Sequence, residues 1–143
     1  MSGLKRMRLH RFTFFAAGGY NILWGLVSAV YPVWFFQLAR MEEPRYPEVF
    51  ACLGMVIGLY GVLYIRVAIE PESGLWVALI GLIGKTLGPT GCAFLVVQGK
   101  WPVRSLFLIF ANDIIWWIPF GLYLHDAIRA TGMSSPRELE PGG

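Results

Sequence analysis

The sequence predicts an all-α integral membrane protein in which four transmembrane helices pack as an antiparallel bundle. Composition, charge placement and run length carry that expectation. Of 143 residues, 56% are hydrophobic and 15% charged, against roughly 45–50% and about 25% in soluble domains. Mean hydropathy is +0.56. Almost all the charge falls between four apolar runs at about 12–36, 49–69, 75–97 and 105–124. Each run reaches the roughly 20 residues a spanning helix needs. A soluble four-helix bundle would carry a polar stripe on every helix, and none of these runs has one wide enough to face water.

The first run follows Lys5, Arg6, Arg8 and Arg11, as the apolar core of a secretory signal would, and Val27-Ser28-Ala29 could pass for a weak cleavage site. The run continues to Phe36, however, beyond the about 7–15 residues of a signal core. It is therefore read as a retained first span. Residues 1–126 are expected to form one four-span domain, with no soluble module attached. The polar tail 127–143, which contains "SSPRELEPGG", is expected to be disordered.

Orientation follows from Lys and Arg placement. The N-terminus, the 70–74 connection with Arg66, and the tail together carry seven cations. The opposite side carries four, Arg40, Arg45, Lys100 and Arg104, and Lys85 lies within a span. The excess predicts a multi-pass protein of the inner (plasma) membrane with both termini cytoplasmic. Trp34, Trp76 and Trp101 lie near span ends, where indole rings favour headgroups. The connections 37–48, 70–74 and 98–104 are short, so neighbouring spans should pack as two helical hairpins. The pI of about 9.1 tracks this topology. No basic face with interleaved aromatics points to nucleic acid, so the bilayer is the expected partner.

Helical angle, at 100° per residue, places Gly18, Asn21, Gly25, Ser28 and Pro32 on one stripe of the first span. Gly54, Gly58 and Gly61 line up on the second, and Gly81, Gly84, Gly88 and Gly91 on the third. Small residues let membrane helices approach closely where lipid gives no hydrophobic drive between them. These glycines are expected to be helix contacts.

Two charges interrupt the apolar runs. Lys85 lies at the midpoint of the third span, 40° from Gly81, and so points into the bundle. Asp113, in "FANDIIWWIPF", lies roughly 4 Å beyond it along the axis at 1.5 Å per residue, within reach of a lysine stem. Each charge alone costs about 2.5–3.5 kcal/mol at a span centre, so pairing is expected, with Asn112 and Asn21 adding hydrogen bonds. Pro89 removes the amide that would bond the Lys85 carbonyl, and Pro119 does the same to Ile115. Carbonyls freed at this depth need another donor. Asn112, Asp113, Trp116, Phe120 and Tyr123 share a face, a polar floor with aromatic walls. The candidate ligand or ion site is therefore Asn21, Lys85, Asn112, Asp113, Trp116, Phe120 and Tyr123.

Nothing else points to enzymatic chemistry. His10 and His125 lack metal-ligand spacing and read as solvated or interfacial. Cys52 and Cys92 form no C-x-x-C and read as small core residues. Ser28 and Ser105 have no evident base. No catalytic or metal residue is assigned, and the reading leans away from an enzyme.

The pieces "YNILWG", "ACLGMVIGLYGVLY", "GLIGKTLGPTG" and "NDIIWWIPF" resemble, over about residues 12–126, an uncharacterised family of small bacterial four-span integral membrane proteins. By span count and size the chain is also similar to DoxX-like proteins, some of which accompany membrane oxidoreductases. The resemblance implies the four-span architecture and carries over no catalytic residue.

The leading functional expectation is a non-enzymatic binder of a small apolar or quinone- or lipid-like ligand, or an accessory subunit of a larger membrane complex. The alternative is an ion- or proton-coupled carrier, which at this size would have to form a homodimer. A membrane oxidoreductase ranks third. No cofactor is evident, and quinone or lipid is the bound species the walls would suit.

Overall fold

The computed structural model describes residues 6–133, and all its regular structure is helical. The helices are α1 (Met7–Val30), α2 (Trp34–Ala39), α3 (Pro47–Ile69), α4 (Leu75–Val97), α5 (Val103–Asp113) and α6 (Trp117–Met133). Short 3₁₀ turns cover Pro71–Ser73 and Ile114–Trp116. Four helical runs are long and apolar enough to cross a membrane: α1, α3, α4 and the continuous stretch Val103–Gly132.

Three expected boundaries move, each for a local reason. The first run does not reach Phe36 as one helix. Pro32 has no amide to continue the ladder, and the residue before a proline is pushed out of the α region. Tyr31 accordingly sits at φ −134°, ψ 71°, and α1 ends at Val30. The chain restarts as α2, held back on α1 by Trp34, whose indole donates to Ser28 Oγ at 2.9 Å. The fourth run is not one uniform helix either. It tightens to a 3₁₀ turn at Ile114–Trp116, where the Pro119 ring crowds the carbonyl of Ile115. The expected tail also begins too early, because α6 continues through residues 127–133. Asp126 and Ala127 on that turn are buried against the rest of the protein, which supplies the packing an isolated turn lacks. Residues 134–143 lie outside the described residues.

Glycine decides how α1 meets α3. A Cβ on Gly25 would lie 2.6 Å from the Gly54 carbonyl oxygen, and one on Gly61 would lie 2.7 Å from that of Gly18. The two backbones touch, which only glycine permits at these positions. Beyond this pair, Phe14, Tyr64, Phe120 and Tyr123 form the aromatic centre of the core. Phe14 lies 4.7 Å from Phe120 and 4.8 Å from Tyr123, ring centre to ring centre.

The outer faces are apolar. Leu23, Val62, Leu87, Phe107 and Ile118 are each more than half exposed, which no water-facing helix bundle would tolerate on every long helix.

Candidate functional site

Lys85 and Asp113 form a buried salt bridge. Nζ lies 3.5 Å from Oδ1, and the side chains are 7% and 13% exposed. The α4 helix brings Lys85 in on the same stripe as Gly81. Asp113 is the last residue of α5, at φ −113° where the 3₁₀ turn begins. Asn112 Nδ2 donates to the same carboxylate oxygen at 2.9 Å. The Trp116 ring centre lies 5.8 Å from Nζ, within the roughly 6 Å at which an aromatic face attracts a cation.

The freed carbonyl of Lys85 has its donor. Trp117 Nε1 donates to Lys85 O at 3.0 Å, so the amide that Pro89 withholds is replaced from the neighbouring helix. Trp117→Phe is expected to destabilise by about 1–3 kcal/mol, the cost of a stranded acceptor. In a Pro89→Ala background the helix supplies its own amide, so the same change should be nearly silent. Equal losses in both backgrounds, measured by denaturation in detergent, would remove the indole from this role.

Beside the ion pair lies a cavity of about 360 Å³ between α1, α3, α4 and α5. Its polar lining comes from Asn21, Tyr60, Tyr64, Lys85, Asn112 and Asp113, and Leu53, Val56, Ile57 and Ile80 supply the apolar part. Gly81, Gly84 and Gly88 give α4 its low profile here. An apolar cavity with a few convergent polar groups is the usual form of a small-molecule site.

Several expected roles change. Asn21 lines the cavity but makes no hydrogen bond to the ion pair: Asn112 alone supports Asp113. Phe120 and Tyr123 are not cavity walls. Both are fully buried in the aromatic core, and the Tyr123 hydroxyl donates to the Pro71 carbonyl at 2.5 Å. The 3₁₀ turn explains this, because three residues at about 120° in place of 100° rotate everything beyond them by roughly 60°. The aromatic walls come instead from Tyr60 and Tyr64 of α3, which the sequence reading passed over. Gly84 is not a helix contact, since a Cβ there would meet nothing within 4 Å. Gly58 does meet α1, since a Cβ on Gly25 would fall 2.8 Å from its Cα, but a Cβ on Gly58 itself would make only an ordinary contact, 3.8 Å from Gly25. Gly81 lies under the Tyr64 hydroxyl, and a Cβ on Gly88 would come 3.0 Å from Asp113 Oδ2. Cys92 is buried beside Ser105, but Cys52 is exposed on the apolar outer surface and not in the core.

A second polar cluster joins the start of α1 to α6. Arg6 Nε and Nη2 donate to Asp126 at 3.0 and 2.7 Å, a bidentate pairing, and His10 Nε2 lies 2.9 Å from the same carboxylate. The hydrogen bond to Asp126 raises the Arg6 guanidinium above its ordinary pKa. His10 is fully buried, edge-on to Tyr123 at 5.3 Å, which corrects the solvated reading. His125 does remain half exposed. A usable signal existed: the charge rule already placed the N-terminus and the end of the fourth run at one surface, with opposite charges at Arg6 and Asp126. What covers His10 is Tyr123 and Asp126 of α6, a contact between helices far apart in the chain.

Among the described residues no group of three or more His, Cys, Asp or Glu side chains could hold a metal ion. The arrangement at Lys85 can donate hydrogen bonds to a guest and shield it with aromatic and aliphatic walls. Compared with protein-family models, curated proteins and solved structures, the chain finds no match.

Proposed function

We propose that this chain is a four-span protein of the plasma membrane that binds a small lipophilic molecule at the Lys85–Asp113 cavity without chemically transforming it. The observation that carries the reading is the cavity itself, whose apolar lining converges on an ion pair at mid-helix. An ion pair that served only to fix register would not need empty space beside it.

Membrane embedding is supported by four apolar helical runs of 23 to 30 residues, each at least roughly 30 Å long at 1.5 Å per residue. It is also supported by the exposed apolar faces. Antiparallel packing is supported by pairing in which numbers rise on one helix as they fall on the other: Gly18 with Gly61 and Gly25 with Gly54, then Lys85 with Asp113 and Cys92 with Ser105. The cation excess supports an orientation with both termini in the cytoplasm. Reporter fusions at residue 42 and at residue 143 should give opposite locations. The same location for both would end the topology.

The binder could act alone or as the ligand-holding subunit of a larger membrane complex, in keeping with the resemblance to small four-span bacterial proteins. One observation favours a second reading, an ion- or proton-coupled carrier. The 3.5 Å separation of Lys85 and Asp113 exceeds the about 2.7–2.9 Å of a tight charged hydrogen bond, leaving the pair open to exchange. Purification in native lipid separates the two readings. A co-purifying lipophile supports the binder, and pH-driven flux in reconstituted vesicles with no bound lipophile supports the carrier.

A further inference from the structure

We propose that the ligand of the Lys85 cavity enters sideways from the bilayer, between α3 and α4, and is a neutral lipophile carrying a carbonyl oxygen at its inner end. This rests on the reading above that the helices span a membrane and the cavity binds a small molecule.

The rim of the cavity fixes the route. On α3 it is formed by Leu53 and Val56, and on α4 by Ile80, each 49% exposed. Gly84 and Gly88 complete the α4 side, both exposed and without side chains to close the gap. These residues lie well inside their helices, so the mouth faces hydrocarbon depth and not either aqueous surface. An ion arriving there would have to shed its water first. A molecule already dissolved in the bilayer would not.

The interior fixes the chemistry. Lys85 and Asp113 neutralise each other, so a charged guest would leave the cavity with an uncompensated charge at low dielectric. A neutral acceptor would not. Donors are in surplus: an ammonium has three N–H groups, and Lys85 spends one on Asp113. Asn21 is 95% buried, lines the cavity and has no hydrogen-bond partner among the described residues, and the Tyr64 hydroxyl at the same wall has none either. A carbonyl oxygen placed among Asn21, Tyr64 and Lys85 would accept from them, while the apolar body lies along Leu53, Val56 and Ile80. Gly84 then acts as the sill of the mouth. A side chain grown there meets no protein atom and would occupy the ligand's path.

The test uses the full chain in phosphatidylcholine nanodiscs and a long-chain methyl ketone carrying a diazirine, with cross-links mapped by mass spectrometry. Cross-links are expected at Ile57, Tyr60 or Ile80. Gly84→Phe should reduce them about tenfold, equivalent to about 1.4 kcal/mol of lost binding, with unchanged thermal stability. Gly84→Leu provides a smaller block. Gly91→Phe should label like the parent, because Gly91 is equally open but does not line the cavity. Parent-like labelling of both Gly84 variants would overturn lateral entry. Stronger labelling by the matching fatty acid or alkylamine would overturn the neutral carbonyl. The double variant Lys85→Met with Asp113→Leu separates these failures from failure of the binding reading. If it labels as strongly as the parent, or the parent does not label at all, the cavity is not a binding site.

Discussion

Gly25→Leu should pull α1 away from α3, whereas Gly84→Leu should leave the bundle as stable as the parent. The contrast comes from what surrounds each backbone. A Cβ on Gly25 falls 2.6 Å from the Gly54 carbonyl oxygen and 2.8 Å from the Gly58 Cα. Those are backbone atoms, which cannot rotate aside as a side chain can, so the helices themselves must separate. Overpacking costs typically about 1–3 kcal/mol, and a clash with fixed backbone belongs at the upper end. Leucine is also the better helix former by up to about 1 kcal/mol, so at Gly84, where nothing is met within 4 Å, the change is neutral or slightly stabilising. Thermal unfolding of both variants in one detergent decides the matter. Parent-like melting of Gly25→Leu would mean that α1 and α3 do not meet through these glycines.

The second large effect is a charge rule at Lys85 and Asp113. Lys85→Met leaves a carboxylate with only the Asn112 amide for support. Asp113→Asn leaves an ammonium facing an amide and the Trp116 ring. Each single change is expected to cost about 3–5 kcal/mol, because removing one member of a buried pair strands the other. Replacing both with apolar residues can be nearly neutral, so Lys85→Met with Asp113→Leu should regain most of the stability. Ligand retention should not return with it, since the double variant has lost the ammonium donor. Recovery of both would reduce the pair to a device that fixes helix register. Parent-like stability of both single variants would show that the pair contributes nothing measurable.

Much of this was legible one residue at a time. Apolar run length announced four long helices because helix geometry converts residue count directly into length. Helical angle placed Lys85 on the inward stripe, and axial rise brought Asp113 within reach of it. Both deductions need only a regular helix between the residues compared, and α4 is regular even across Pro89. The same rule mispredicted Phe120 and Tyr123, because they lie beyond the 3₁₀ turn at Ile114–Trp116, which resets the angle. The prolines named the carbonyls that would need donors. They did not say that Trp117 would supply one.

The sequence by itself determined the helical class, the four apolar runs, the pairing of the two interior charges and the small-residue stripes. Each of these follows from the period of a single helix or from the cost of an isolated charge in an apolar medium. Only the tertiary structure decided which glycines meet backbone, at Gly18, Gly25, Gly54 and Gly61, and which, like Gly84, open onto a cavity. It also decided that His10 would be buried against Asp126, and that Tyr60 and Tyr64 would wall the site. Those outcomes depend on the distance and rotation between helices. A sequence period describes one helix at a time, and the space left between two of them is a property of neither alone.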